Sequence, residues 1–189
     1  DAVGWNTAHV FGMSMGGMIV QQLGIDHASR LRSITSLMSS TGNPKFGSAT
    51  KEAQAALLTP SPTEREAWID QRVATEQIWA SPDHWTEAGS RAKSALMFDY
   101  GVQPRRTVHQ FKAMVKSPRR EDALREVHVP TLVMHGTADT LITPPGGVRT
   151  AEIMPNATFV ALEGMGHDLP EFYWPIIAGH VGDLAGSID

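Results

Sequence analysis

The chain opens with a short apolar run, AHVFG over residues 8–12, closed by a glycine. The MGGMIVQQLGI that follows spaces Met15, Met18, Ile19 and Leu23 along one helix face. Strand, sharp turn and helix are expected in that order. LRSITSLM over 31–38 is a second apolar run, bounded by the turn chemistry of SSTGNP, and reads as a buried parallel strand. From residue 44 to about residue 125 apolar residues thin out, while Trp68, Ile69, Val73, Ile78 and Trp79 recur at helical spacing. Ser61-Pro62-Thr63-Glu64 predicts a helix start, with a capping residue, a proline in the first turn and an acid three residues on. Further helices are expected over 85–100 and 104–115. Strand signals resume in VPTLVM at 129–134, followed by the turn His135-Gly136-Thr137-Ala138-Asp139, a helix over 145–154 and a strand over 157–162. After Gly164-Met165-Gly166-His167, residues 171–184 read as a closing helix. Strands alternating with helices predict the α/β class, a parallel sheet with helices on both faces. Residues 1–43 and 121–189 form its core, and 44–120 a helical cap inserted into it.

Composition narrows the function classes. With 189 residues and 41% hydrophobic content, the chain can bury the core of one globular domain. The net charge of -4, with acidic and basic residues interspersed, leaves no basic block to neutralise a row of phosphates, which disfavours nucleic-acid binding. The absence of cysteine removes disulfides, thiolate catalysis and cysteine-based zinc sites, and is compatible with a reducing, cytoplasmic location. No stretch approaches the ~20 apolar residues of a membrane helix, and the opening residues lack signal-peptide character, so a soluble protein is expected. Asn156-Ala157-Thr158 fits a glycosylation sequon and is read as a chance match.

Gly12-Met13-Ser14-Met15-Gly16 has the spacing of a nucleophile elbow, a strained strand-to-helix turn that lifts a serine hydroxyl above a sheet. Side chains at either glycine are expected to collide with the adjoining strand and helix. A serine at a helix start also sits where negative charge is favoured. Its hydroxyl needs a base, and the base an acid to orient it. Of the eight histidines, His167 lies in a glycine-rich loop just after the last strand, and Asp139 follows the preceding strand by a short turn. The order Ser14, Asp139, His167 puts all three beyond the C-terminal ends of parallel strands, where such sheets bind ligands. Competing readings are blander: Asp139 as a turn aspartate bonded to its own backbone, His9 as a packed core residue, His135 as a turn former. Asp168 is adjacent to His167, poorly placed to orient it, and reads as structural. His27, His84, His109, His128 and His180 show no ligand spacing, so no metal site is expected, and the chemistry requires no cofactor.

GMSMGGMIVQQLGIDHASRLRSITSLM, LREVHVPTLVMHGTADTLITP and MPNATFVALEGMGHDLP together resemble the second part of the α/β-hydrolase superfamily, within it the bacterial subgroup that contains aclacinomycin methylesterase. The resemblance implies a triad of Ser14, Asp139 and His167, and an oxyanion hole to which Met15 supplies one backbone N–H. It implies hydrolysis of carboxylic esters, a methyl ester of an aromatic or hydrophobic small molecule in particular; lactone, thioester or carbon–carbon hydrolysis and perhydrolysis stay open. Members of the superfamily begin with several further strands and a loop that donates a second oxyanion N–H. Because this sequence starts just before the nucleophile strand, it is expected to be truncated and poorly active alone; the rival from another class is a non-catalytic fragment or binding scaffold.

Overall fold

The computed structural model describes residues 4–101, 109–110, 112–114 and 116–188. Four strands, β1 (Ala8–Met13), β2 (Leu31–Leu37), β3 (Thr131–Gly136) and β4 (Ala157–Leu162), form one parallel sheet in the order of the chain. The registers pair Val10 with Ile34, Ile34 with Thr131 and Thr131 with Ala157, so the C-terminal ends of all four strands lie along one edge. α1 (Met15–His27) links β1 to β2. α5 (Pro145–Ile153) links β3 to β4, and α6 (Trp174–Gly186) closes the chain after the 3-10 turn Glu171–Tyr173. Between β2 and β3 lie α2 (Lys51–Leu58), α3 (Arg65–Trp79), α4 (Glu87–Asp99) and the single turn Glu121–Leu124.

Alternation along the strands divides the core. Ile34 packs with Val20, Val127, Ile153 and Met154 on the face covered by α1 and α5. Leu37, Leu132, Met134 and Leu162 pack with Met165, Tyr173 and Ile177 on the face covered by α6. Every residue of β3 is buried, as a strand covered on both faces requires. Trp68, Ile69 and Val73 form a separate small core with Trp85, Ala95 and Phe98, holding α3 to α4. No helix among the described residues is long and apolar enough to cross a membrane.

One expectation needs correcting, and one helix was not read from the sequence. The third helix starts at Arg65, not at Ser61, and Glu64 caps it without a side-chain bond, so the Ser-Pro-Thr-Glu signal sits in the approach to the helix. α2 was not expected. Its start signal is Thr50, whose hydroxyl accepts from the Ala53 N–H at 3.2 Å. The helix expected over 104–115 falls largely outside the described residues.

The two glycines of the elbow are not equivalent either. A Cβ on Gly12 would lie 2.0 Å from the Gly16 carbonyl oxygen, a backbone atom that cannot step aside, whereas a Cβ on Gly16 meets nothing within 4 Å. The second obligatory glycine is Gly17, where a Cβ would lie 2.5 Å from Ser39 Cβ. Gly12→Ala is therefore expected to lose about 3 kcal/mol or more of folding stability. Gly16→Ala, inside a helix, is expected to shift it by under about 1 kcal/mol, in the stabilising direction. Urea denaturation of both variants checks this; equal losses contradict the assignment of the close contact to Gly12 alone.

Candidate active site

Ser14 stands between β1 and α1 with φ 56° and ψ -118°, a left-handed backbone held by a side chain that is not glycine. Such strain costs on the order of 1–3 kcal/mol and persists only where the surroundings impose it. Here the Ser14 N–H donates to Leu37 O at 2.9 Å, tying the elbow to β2, and the bare Gly12 lets the first turn of α1 lie against the strand. A serine at a helix start ordinarily spends its hydroxyl on the first-turn N–H groups. This one makes no such cap, and its hydroxyl is free for another partner. Met38, at the end of β2, is the other non-glycine residue with positive φ among those described.

The partner is His167. Ser14 Oγ lies 2.9 Å from His167 Nε2, and His167 Nδ1 lies 2.7 Å from Asp139 Oδ2. A carboxylate only accepts, so Nδ1 carries the proton, and Nε2 of the neutral ring is left to accept from the Ser14 hydroxyl. Ser14 is half-buried, while the Asp139 side chain is fully buried. That buried carboxylate is fully engaged: Oδ1 accepts from the Leu141 and Ile142 N–H groups, each at 2.9 Å, and Oδ2 faces His167 and, at 3.3 Å, His135 Nε2. Burial pushes the Asp139 carboxyl up, but hydrogen bonds from His135, His167 and the Ile142 N–H outweigh it and hold the group below the usual carboxylate range.

Asp139 makes both contacts at once: one oxygen joins the local turn and the other meets the imidazole. His135 does more than shape a turn. Its ring is buried, Nε2–H donates to Ile142 O at 2.7 Å, and the same nitrogen faces Asp139. Its Nδ1 has no partner among the described residues. The signal for this residue was the spacing of four between His135 and Asp139, which is uninformative until the strand is known to end between them. His9 is not a plain core residue: it is half-buried, and its Nδ1 meets Ser33 Oγ at 2.8 Å across the β1–β2 pairing. Asp168 turns away from His167 and accepts from Ser81. Met15 opens α1, whose first N–H groups have no helical acceptor and point out from the elbow.

A parallel sheet with helices on both faces, and a strained serine turn at its C-terminal edge, has the architecture of an α/β hydrolase. The family Hydrolase_4, described as serine aminopeptidase, S33, matches residues 3–171, and this chain belongs to it. It is 27% identical over 199 residues to the epoxide hydrolase EphH of Mycobacterium tuberculosis, covering 99% of this chain and 88% of that protein. Its fold is similar to that of the esterase RhEst1 from Rhodococcus sp. ECU1013, with a TM-score of 0.71 at 20% identity, covering 99% of this chain and 67% of the other. It is likewise similar to a meta-cleavage product hydrolase from Pseudomonas fluorescens IP01, with a TM-score of 0.68 at 17% identity, covering 100% and 68% of the two chains. The protein is therefore a hydrolase of the α/β-hydrolase type.

The depressed Asp139 carboxyl makes a signed prediction. A group lowered on folding stabilises the fold above its unfolded value, and that contribution is lost as pH falls through the folded one. The stability difference between the parent chain and Asp139→Asn should therefore be constant above about pH 5 and shrink on further acidification. Denaturant titrations across this range measure it, and a difference that grows in acid contradicts the assignment.

Proposed function

We propose that this chain hydrolyses carboxylic esters through an acyl-enzyme on Ser14. The observation that carries the reading is the continuous hydrogen-bond chain from Ser14 Oγ through His167 to the buried carboxylate of Asp139. His167 Nε2 takes the hydroxyl proton as Oγ attacks the ester carbonyl. The resulting imidazolium stays bonded to Asp139, then gives its proton to the leaving alcohol. Water, deprotonated by the same nitrogen, attacks the acyl-enzyme, and the acid leaves with Ser14 restored. The Met15 N–H, at the start of α1, is one donor to the oxyanion of both tetrahedral intermediates.

Position 14 bears on the reaction class. A carboxylate that opens an epoxide forms an ester, which water can cleave; a serine that did so would form an ether with no route to release. Serine at this position therefore favours acyl chemistry for this chain, although EphH is named an epoxide hydrolase. Residues 44–120 are proposed as a cap over the strand edge, with the aromatic cluster around Trp68 and Phe98 as its core. The resemblance to the aclacinomycin methylesterase subgroup favours a methyl ester on an aromatic or hydrophobic small molecule, and the cysteine-free composition fits a cytoplasmic setting.

A fluorophosphonate probe tests the triad without knowledge of the substrate. Labelling is expected in the parent chain, none in Ser14→Ala, and labelling slowed on the order of a thousandfold or more in His167→Ala or Asp139→Asn. Labelling that survives Ser14→Ala, or none in any form, ends the esterase reading and leaves a scaffold without this chemistry.

A further inference from the structure

The C-terminal end of α3 runs against both loops that carry the proposed acid and base. The Thr140 hydroxyl donates to Ile78 O at 2.8 Å, and the His167 N–H donates to Trp79 O at 2.5 Å. Ser81 then ties down both neighbours of His167. Its Oγ accepts from the Gly166 N–H at 2.9 Å, while its own N–H and hydroxyl both donate to Asp168 Oδ1, at 3.0 and 2.5 Å. Ser81 is fully buried, and the bonds from Gly166 and Asp168 span 85 and 87 residues, so nothing in local chain geometry requires them. The close approach depends on Gly166, where a Cβ would lie 2.3 Å from Trp79 O.

The segment being held has a reason to need holding. It contains Gly164, at φ 72°, and Gly166, and a loop with two glycines samples backbone states closed to other residues. Its imidazole must nevertheless stay within hydrogen-bond reach of two separate oxygens. A displacement of about 1 Å in such an arrangement can cost on the order of a hundredfold in rate.

We infer that Ser81 and Asp168 are positioning residues for the base: together they latch the loop on either side of His167 to the end of α3, and so hold the imidazole between Ser14 and Asp139. The inference rests on the esterase reading for its consequence in catalysis. Because α3 belongs to the segment between β2 and β3, the latch also makes the seating of that segment part of the alignment of the base.

Ser81→Ala and Asp168→Ala, singly and together, test this in the full chain. Fluorophosphonate labelling of Ser14 is expected to slow on the order of ten- to a hundredfold in each single variant. The double variant should be no slower than either alone, since each breaks the same latch. Asp168→Asn keeps an acceptor oxygen in place and should retain labelling near the parent rate. In hydrolysis of a p-nitrophenyl ester the loss should fall on kcat, with KM nearly unchanged. The low-field proton resonance of the His167 Nδ1–H bond to Asp139 should broaden or vanish in the alanine variants, a change that loss of distant packing would not produce. Folded alanine variants with unchanged labelling and an unchanged resonance overturn the latch, as do single-variant effects that simply add. If Ser81→Ala fails to fold, Asp168→Ala, at a half-buried position, carries the same comparisons. If the parent chain shows no labelling that depends on Ser14, the esterase reading falls, while the resonance in parent and variants still decides whether the latch holds the imidazole.

Discussion

A neutral imidazole can accept a proton from a hydroxyl only when its other nitrogen is already committed as a donor, so the ring must lie between two oxygens that no local chain geometry brings together. In this protein those oxygens belong to Ser14 and Asp139, and the bond from Ser14 to His167 closes over 153 residues. The sheet makes this possible. Four parallel strands laid side by side in chain order put every strand-to-helix junction on one edge. The elbow after β1, the turn after β3 and the loop after β4 then meet there, and the long segment between β2 and β3 leaves from the same edge.

The buried carboxylate shows how the same residue serves fold and chemistry. A charge removed from water is tolerated only if paired and hydrogen-bonded. Asp139 meets that condition with backbone N–H groups of its own turn on one oxygen and histidine nitrogens on the other. The turn that satisfies Oδ1 also fixes the direction of Oδ2, so the orientation offered to His167 is set by β3 and its exit rather than by a free rotamer. His135, buried on the last turn of that strand, extends the network by one more ring and by the Ile142 carbonyl.

The helices between β2 and β3 have their own small core and their own polar centre, where buried Glu76 accepts from Ser90 and Lys93. They are nonetheless not an appendage. The last carbonyls of α3 accept from the acid loop and the base loop, Ser81 just beyond the helix bonds the base loop again, and Gly166 is bare where the two backbones nearly touch. The strained elbow is braced from another side, by β2 through Leu37 O and by the contact between Gly12 and Gly16. Rigid strands thus supply the frame, and a few backbone contacts across loops set the last ångström.

The α/β alternation, all four strands, and the approach of Ser14, Asp139 and His167 were legible in the residues themselves, because strand periodicity, a glycine-flanked serine and chain order are local signals that survive without knowledge of packing. Helix starts were less so: the Ser61 signal is local chemistry that the fold leaves in the approach to α3, and α2 rests on one threonine cap. What tertiary structure alone decided was which glycines are obligatory, which second histidine joins the acid, and where Asp168 points. Each of these depends on atoms brought close by folding: Gly16 backbone over Gly12, Asp139 beside His135, Ser81 beneath the base loop. A one-dimensional pattern records which side chains can bury or bond, whereas the partner each one finds is set by distances between segments that are remote in the chain.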